Sequence, residues 1–239
     1  MSDQPEILLI DIGNTRLKVM SFNDAHPQQD VLSFDSVESL LPLVEASERV
    51  LVSCVGARQK LAQLETICTN LQKSLFVAKT EAQRFGVRCA YQNFSTMGVD
   101  RWLAILAARS LTSLPVAVMD FGTAATCDVV VEGEHVGGWI VPGFAMMKHA
   151  LTTNTAQVFA NSEQPEHLVF ADSTEGCVNM GCLAAIQGIF FSAEKLLSQY
   201  ADDYRMIITG GDKHLLRELR GPHVRFEENM VLKGLRLFV

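Results

Sequence analysis

The 239-residue chain lacks the marks of several protein classes. Its net charge is −7, and no block of five like charges occurs. A nucleic-acid footprint needs a basic patch, so the composition speaks against DNA or RNA as a partner. Six cysteines are present, at positions 54, 68, 89, 127, 177 and 182, and no two stand in a C-x-x-C pair. Most have apolar neighbours, where cysteine behaves as a small hydrophobe. This spacing argues against a disulfide framework or a zinc site. The first six residues, Met-Ser-Asp-Gln-Pro-Glu, have neither the basic start nor the apolar run of a secretory leader. No uninterrupted apolar stretch reaches the ~18 residues that a bilayer span requires. These absences predict a reduced, cytoplasmic protein without a membrane or nucleic-acid partner.

What is present suits a packed core. Apolar residues make up 48% of the chain and charged residues 20%, at a length that allows one or two domains. The most informative stretch is residues 7–18, Ile-Leu-Leu-Ile-Asp-Ile-Gly-Asn-Thr-Arg-Leu-Lys. Four apolar residues lead into Asp11. A turn at Gly13, Asn14 and Thr15 follows, and then Leu17, Val19 and Phe22 alternate with polar residues. The pattern predicts a buried strand, a tight turn and a returning strand. A carboxylate at the end of a buried strand, beside a turn rich in N–H and hydroxyl groups, suits metal-bound phosphate. An ordinary Gly-Asn hairpin remains the simpler alternative at this point.

The next segments alternate between strand and helix patterns. Strands are predicted at 31–34, 49–54 and 75–77, and helices at 36–46 and 58–72, which points to an α/β layer with parallel pairing. Residues 79–99 are less regular, and a helix is predicted from Arg101 to about Leu111. Then the opening pattern recurs. Val116 to Met119 form an apolar run ending at Asp120, followed by Gly122, Thr123 and a returning strand from Cys127 to Val131. A third strand is predicted over 135–141. An apolar strand, an Asp-x-Gly turn carrying a threonine, and a second strand thus occur twice. This is an internal duplication of supersecondary structure, and it places the domain boundary near Leu114, between residues 1–114 and 115–239.

The second half continues with a helix over about 144–152 and a polar stretch over 153–173. A long helix begins at Thr174, capped by Asp172 or Thr174, and runs to about Tyr200. Gly181 and Gly188 fall on one face of it. A strand at 206–209 ends in Gly210-Gly211-Asp212. A helix, a short strand at 224–226 and a last helix from about Met230 complete the pattern. Two phosphate turns, one in each half, and a late Thr-Gly-Gly resemble the acetate and sugar kinase, Hsp70 and actin superfamily. That resemblance implies two ribonuclease-H-like domains around an ATP cleft.

Gly98-Val99-Asp100-Arg101 stands between the two turns. A carboxylate there suits acceptance of a proton from a substrate hydroxyl, and an arginine suits a bidentate grip on a substrate carboxylate. The plainer alternatives are a helix N-cap for Asp100 and a solvated first-turn residue for Arg101.

Asp11-Ile-Gly-Asn-Thr15, Gly98-Val-Asp-Arg101, Asp120-Phe-Gly-Thr-Ala124 and Gly137-Gly-Trp-Ile-Val-Pro-Gly143 together resemble type III pantothenate kinase. The second and fourth segments are the more family-specific. The resemblance implies phosphorylation of pantothenate by Mg-ATP, in a homodimer that also requires potassium or ammonium. By that resemblance Asp11, Ile12, Gly13, Asn14, Thr15, Arg16, Leu17 and Lys18 form the first ATP loop, with Asp11 on the magnesium side. Asp100 is the proton acceptor, and Tyr91, Gly98, Val99, Arg101 and Thr174 contact pantothenate. Asp120 holds the monovalent cation and Thr123 contacts ATP. The family's threonine at the position of Thr174 can come from the partner subunit. The run after Thr174, Glu-Gly-Cys-Val-Asn-Met-Gly, departs from the family's usual Ala-Met-Gln-Ser-Gly. Three other readings stay open: a kinase for another small hydroxylated acid, an ATP-binding accessory factor of gene regulation, and a non-catalytic interaction domain.

Overall fold

Apolar runs that lead into an aspartate form an inner strand of each of two sheets. The computed structural model describes residues 7–13, 16–22, 30–154 and 164–239. Its elements begin with β1 (Ile7–Ile12), β2 (Leu17–Phe22), β3 (Leu32–Phe34), α1 (Leu41–Ala46), β4 (Arg49–Cys54), α2 (Arg58–Asn70) and β5 (Ser74–Val77). The short β6 (Gln83–Arg84) and β7 (Val87–Arg88) and the helix α3 (Val99–Leu111) follow. The second half holds β8 (Val116–Phe121), β9 (Ala124–Val131), β10 (Glu134–Pro142), α4 (Phe144–Asn154), α5 (Thr174–Leu197), β11 (Arg205–Thr209), β12 (Val224–Phe226) and α6 (Met230–Arg236).

The chain packs as two units. The first comprises Met1–Phe85, Tyr91–Ala107 and Asn229–Val239; the second comprises Gly86–Ala90 and Ala108–Glu228. In the first, the sheet order is β3-β2-β1-β4-β5. β1 runs antiparallel to β2 and parallel to β4, and β4 is parallel to β5. Both faces of this sheet are covered, which is why β1 and β4 read as continuous apolar runs rather than alternating ones. Leu8, Ile10, Ile12, Val50 and Val52 pack with Val44 of α1 and with Leu64 and Cys68 of α2. Leu9 and Leu51 turn the other way, toward Val99 and Leu103 of α3 and Val231, Leu232 and Leu235 of α6. Leu103, Leu235 and Leu232 are at most 1% exposed, so each contributes about 2 kcal/mol of burial.

α6 therefore belongs with the first unit, although the sequence pattern groups it with residues 115–239. The helix carries the apolar face that the first sheet needs on its second side. Gly234 makes the contact possible: a β-carbon there would stand 2.1 Å from the Leu103 carbonyl oxygen. The helix expected over 36–46 divides in two. A 3-10 turn spans Glu38–Leu40, and α1 begins at Leu41 so that Pro42 falls in its first turn. Proline fits there because that N–H has no intrahelical partner.

In the second unit β10-β9-β8-β11-β12 repeats the order of β3-β2-β1-β4-β5, with the same strand directions. β7 adds to β10 through the Glu134–Arg88 pairing. A β-bulge interrupts β10 between His135 and Gly137, where Gly137 takes a φ of +123°. α5 lays Leu183, Ile186, Phe190 and Leu197 against Ala117, Met119 and Phe121 of β8. Its 24 residues make α5 long and apolar enough to cross a bilayer by length and composition, although polar residues interrupt its apolar run. Here its buried side is the core of the second unit and includes Asn179 and Gln187. The cap of α5 is Ser173, whose Oγ accepts from the Gly176 N–H at 3.2 Å, rather than Asp172 or Thr174. In place of the helix expected after Asp212 there is a single 3-10 turn, Lys213–Leu216.

Candidate active site

Asp11 sits at the end of β1, half-buried, opposite Lys18 on β2 and Ser53 on β4. Asp11 and Ser53 lie on the face of the sheet that carries Leu9 and Leu51. Ser53 is fully buried, and its Oγ has no hydrogen-bond partner among the described residues. Burial pushes the neighbouring Cys54 thiol up, and the Asp11 charge adds to that push. The turn after Asp11 closes on itself, with the Gly13 N–H donating to the Arg16 carbonyl at 3.1 Å. Arg16 is exposed and Lys18 half-buried. The side chains of Ile12 and Leu17 are both fully buried in the core, so these two positions offer a ligand only their main chain. Asn14 and Thr15 lie outside the described residues.

The Gly98–Arg101 segment opens α3. Asp100 stands in the first helical turn, and its Oδ1 accepts from the Arg101 N–H at 2.8 Å. The carboxylate leans over Gly98, where a β-carbon would stand 2.5 Å from Asp100 Oδ1. Arg101 is not the solvated first-turn residue of the plain alternative; it is only 7% exposed. Its Nη1 donates to the Tyr91 hydroxyl at 3.0 Å, and its guanidinium lies 5.9 Å from the centre of that ring. A buried cation is costly unless paired and hydrogen-bonded, so its burial marks a position fixed by the fold. Tyr91, Gly98, Asp100 and Arg101 are thus brought together in one unit, with Val99 buried beneath them. A groove of about 490 Å³ borders Gly98 and Val99 and is also lined by Lys79, Thr80 and Phe94.

In the second unit Asp120 occupies the place on β8 that Asp11 occupies on β1. It pairs with Thr126 on β9 and with Thr209 on β11, and Thr209 is 2% exposed. Here three segments converge on the turn. The Gly143 N–H donates to the Thr123 carbonyl at 3.0 Å, and a β-carbon on Gly143 would lie 1.9 Å from the Gly122 carbonyl oxygen. Gly210, at a φ of +98°, would place a β-carbon 2.1 Å from the Phe121 carbonyl oxygen and 2.5 Å from Asp120 Oδ1. Thr123 is exposed at the rim. Burial raises the Asp212 carboxyl above its usual range, against the opposing pull of His214 and the Gln164 hydrogen bond. Thr174 takes the first helical position of α5 and is exposed.

Among the described residues no three His, Cys, Asp or Glu side chains gather as a metal cluster. The donors at the two aspartate turns are oxygens. A lone carboxylate at Asp11 suits magnesium, which keeps waters and takes its other ligands from phosphates. Asp120 beside main-chain carbonyls suits an oxygen-bound alkali cation.

The type III pantothenate kinase family model matches residues 7–192. A type III pantothenate kinase from Pseudoalteromonas atlantica is 42% identical over 98% of each chain. The chain belongs to the type III pantothenate kinase family. It is a kinase of the actin-like and sugar-kinase fold. Two solved structures share that fold: a candidate 2-dehydro-3-deoxygalactonokinase from Sinorhizobium meliloti and a candidate Baf family transcriptional activator from Campylobacter jejuni. The first has a TM-score of 0.64 at 12% identity and covers 97% of each chain. The second has a TM-score of 0.63 at 21% identity and covers 96% of each chain.

Three features of this kinase were not visible in its sequence. Ser53 becomes a neighbour of Asp11 only through β1–β4 pairing. Gly210 serves close approach of the Asp120 carboxylate and the Phe121 carbonyl. A buried pair, Asp128 on β9 and His135 on β10, meets across the bulged hairpin.

Proposed function

We propose that this chain transfers the γ-phosphoryl group of ATP to the terminal hydroxyl of pantothenate, giving 4′-phosphopantothenate, the first step of coenzyme A synthesis. The observation that carries this reading is the opening of α3. A carboxylate held against a glycine stands next to a buried arginine that is already paired with a tyrosine. Asp100 is the general base. One of its oxygens is occupied by the Arg101 N–H, which leaves the other for the substrate hydroxyl proton. Arg101 and Tyr91 bind the pantothenate carboxylate, with Gly98 and Val99 shaping the seat.

ATP phosphates are taken by the Asp11–Lys18 turn, in which Ile12 and Leu17 act through their N–H groups, and by Thr123. Magnesium at Asp11, when bound, offsets the charge that develops on the transferring phosphoryl group. Asp120 holds a potassium or ammonium ion. The kinase works in the cytoplasm as a homodimer in which Thr174 reaches the substrate. An unfilled face of α5, with Gly181, Ala184 and Ala185 exposed and no atom within 4 Å of a β-carbon at Gly181, supports that assembly. So does the fully exposed Phe170 that precedes the helix.

The test is a phosphoryl-transfer assay with pantothenate and ATP, with and without potassium or ammonium. Turnover that depends on the monovalent ion is expected, and no turnover under any cation sinks the proposal. Asp100→Asn should lower kcat by about 10³-fold while leaving the melting temperature in place. A near-normal rate in that variant removes Asp100 from the role of base.

A further inference from the structure

Asp128 and His135 are 2% and 3% exposed and belong to no part of the phosphate or acceptor machinery described above. His135 Nε2 lies 3.0 Å from Asp128 Oδ1. On the other side of the ring, the Ala90 N–H donates to His135 Nδ1 at 3.4 Å. The imidazole thus meets a carboxylate on one side and a backbone amide on the other. That amide is the last of the short segment Val87–Ala90. The same segment is tied twice more, by the Arg88 N–H to the carbonyl of Gly133 in the turn before β10 at 2.9 Å and by Arg88 Nε to Glu134 Oε2 of β10 at 2.7 Å. The next residue is Tyr91, whose hydroxyl accepts from Arg101. His135 stands opposite Val130 on β9, so Asp128 is its diagonal neighbour on the same face, and the β-bulge begins just after it.

We infer that Asp128 and His135 are positioning residues for the acceptor substrate: they fix the main chain at Ala90 and so set where Tyr91 meets Arg101. This rests on the assignment of Tyr91 and Arg101 to pantothenate. Arg88 and Glu134 are well exposed, and their pairing is weak on its own. The buried pair is the firmer of the two side-chain ties. It acts on one substrate and not on ATP, because Tyr91 and Arg101 lie outside the phosphate turns.

Two readouts separate positioning from a purely structural role. The first is kinetic. His135→Ala should raise the KM for pantothenate about tenfold and leave the KM for ATP within about twofold, the order of loss expected from a misplaced binding group. His135→Gln, which keeps one acceptor and one donor, should restore most of that loss. The second readout needs no turnover. The chain has three tyrosines, Tyr91, Tyr200 and Tyr204. In the full chain labelled with 3-fluorotyrosine, Tyr91→Phe assigns the Tyr91 fluorine signal. His135→Ala should shift or broaden that signal and leave the other two in place. Asp128→Asn, nearly isosteric, should do the same and serves if His135→Ala does not fold. An unmoved Tyr91 signal in the folded variants, or an equal rise in both KM values, overturns the inference. If pantothenate is not the substrate, the fluorine shift still appears, so the two failures are distinguishable.

Discussion

The two units repeat one strand plan and one aspartate turn, yet they secure the turn differently. In both, the aspartate stands next to last in an inner strand and pairs with a buried hydroxyl residue on the parallel neighbour, Ser53 beside Asp11 and Thr209 beside Asp120. In the first unit, among the described residues, the Gly13 N–H donates to the Arg16 carbonyl across the turn. In the second, Gly143 and Gly210 press main chain against main chain around Gly122, Thr123 and Phe121. The second turn is thus a seat assembled from three segments, with main chain packed against main chain. Around Gly13 the nearest contact of a β-carbon, the Arg16 carbonyl oxygen, is less close.

The strongest way to break this comparison is to fill the glycines. Gly210→Ala and Gly143→Ala should each cost at least about 3 kcal/mol or leave little folded protein, because a β-carbon would collide with backbone. Gly13→Ala meets the Arg16 carbonyl only at 3.2 Å, so it should cost about 1 kcal/mol or less. Thermal or urea unfolding of the three variants decides it; equal losses at Gly13 and Gly210 would end the distinction between a turn with room for a β-carbon and one without. An intermediate effect is expected at the hydroxyl beside Asp11. Ser53→Ala removes a buried Oγ without a partner among the described residues and should be neutral within about 1 kcal/mol. A larger loss of stability would show that the hydroxyl is bonded within the fold.

The smallest effect concerns Asp212, beside the second turn. Its carboxyl is raised by burial, so the native state holds its proton to a higher pH than the unfolded chain does. Stability from this group is therefore greatest at low pH and falls as pH rises from the unfolded value through the folded one. Asp212→Asn should melt slightly higher than the parent at pH 7. The gap should close below about pH 4, where both states of the parent carry the proton. A gap that is unchanged with pH would rule out the carboxyl charge as its source.

Much of this architecture was legible in the residues. The hairpins at Asp11 and Asp120 declare themselves because an apolar run, an aspartate and a glycine turn leave few other folds for so few residues. β4 was readable to the residue, since the aliphatic run Val50-Leu51-Val52, with Ser53 after it, stands between Arg49 and Cys54. The destination of α6 was not legible: periodicity shows that Val231, Leu232 and Leu235 share a buried face but not which sheet receives it. At the start of α5, Asp172, Ser173 and Thr174 can all cap, and only the backbone angles of Ser173 choose among them. In the candidate site, Asp100 was nominated by its neighbours, whereas the burial of Arg101 depends on Tyr91 ten residues earlier. Asp128 and His135 gave no signal, because each is a single polar residue in an apolar strand, and only the β9–β10 register, with His135 opposite Val130, makes them diagonal neighbours.

The late arrival of α6 has a consequence for how the protein is made. On the ribosome, β1 and β4 emerge early and α3 soon after, but α6, the other helix that covers Leu9 and Leu51, starts 176 positions after the end of β4 (residue 230 less residue 54). At translation speeds of roughly 5–20 residues per second, that interval is about 10–35 s. For that time the nascent first unit presents an aliphatic face that α3 alone covers in part, a ready target for chaperones, and the second unit can finish folding before the first.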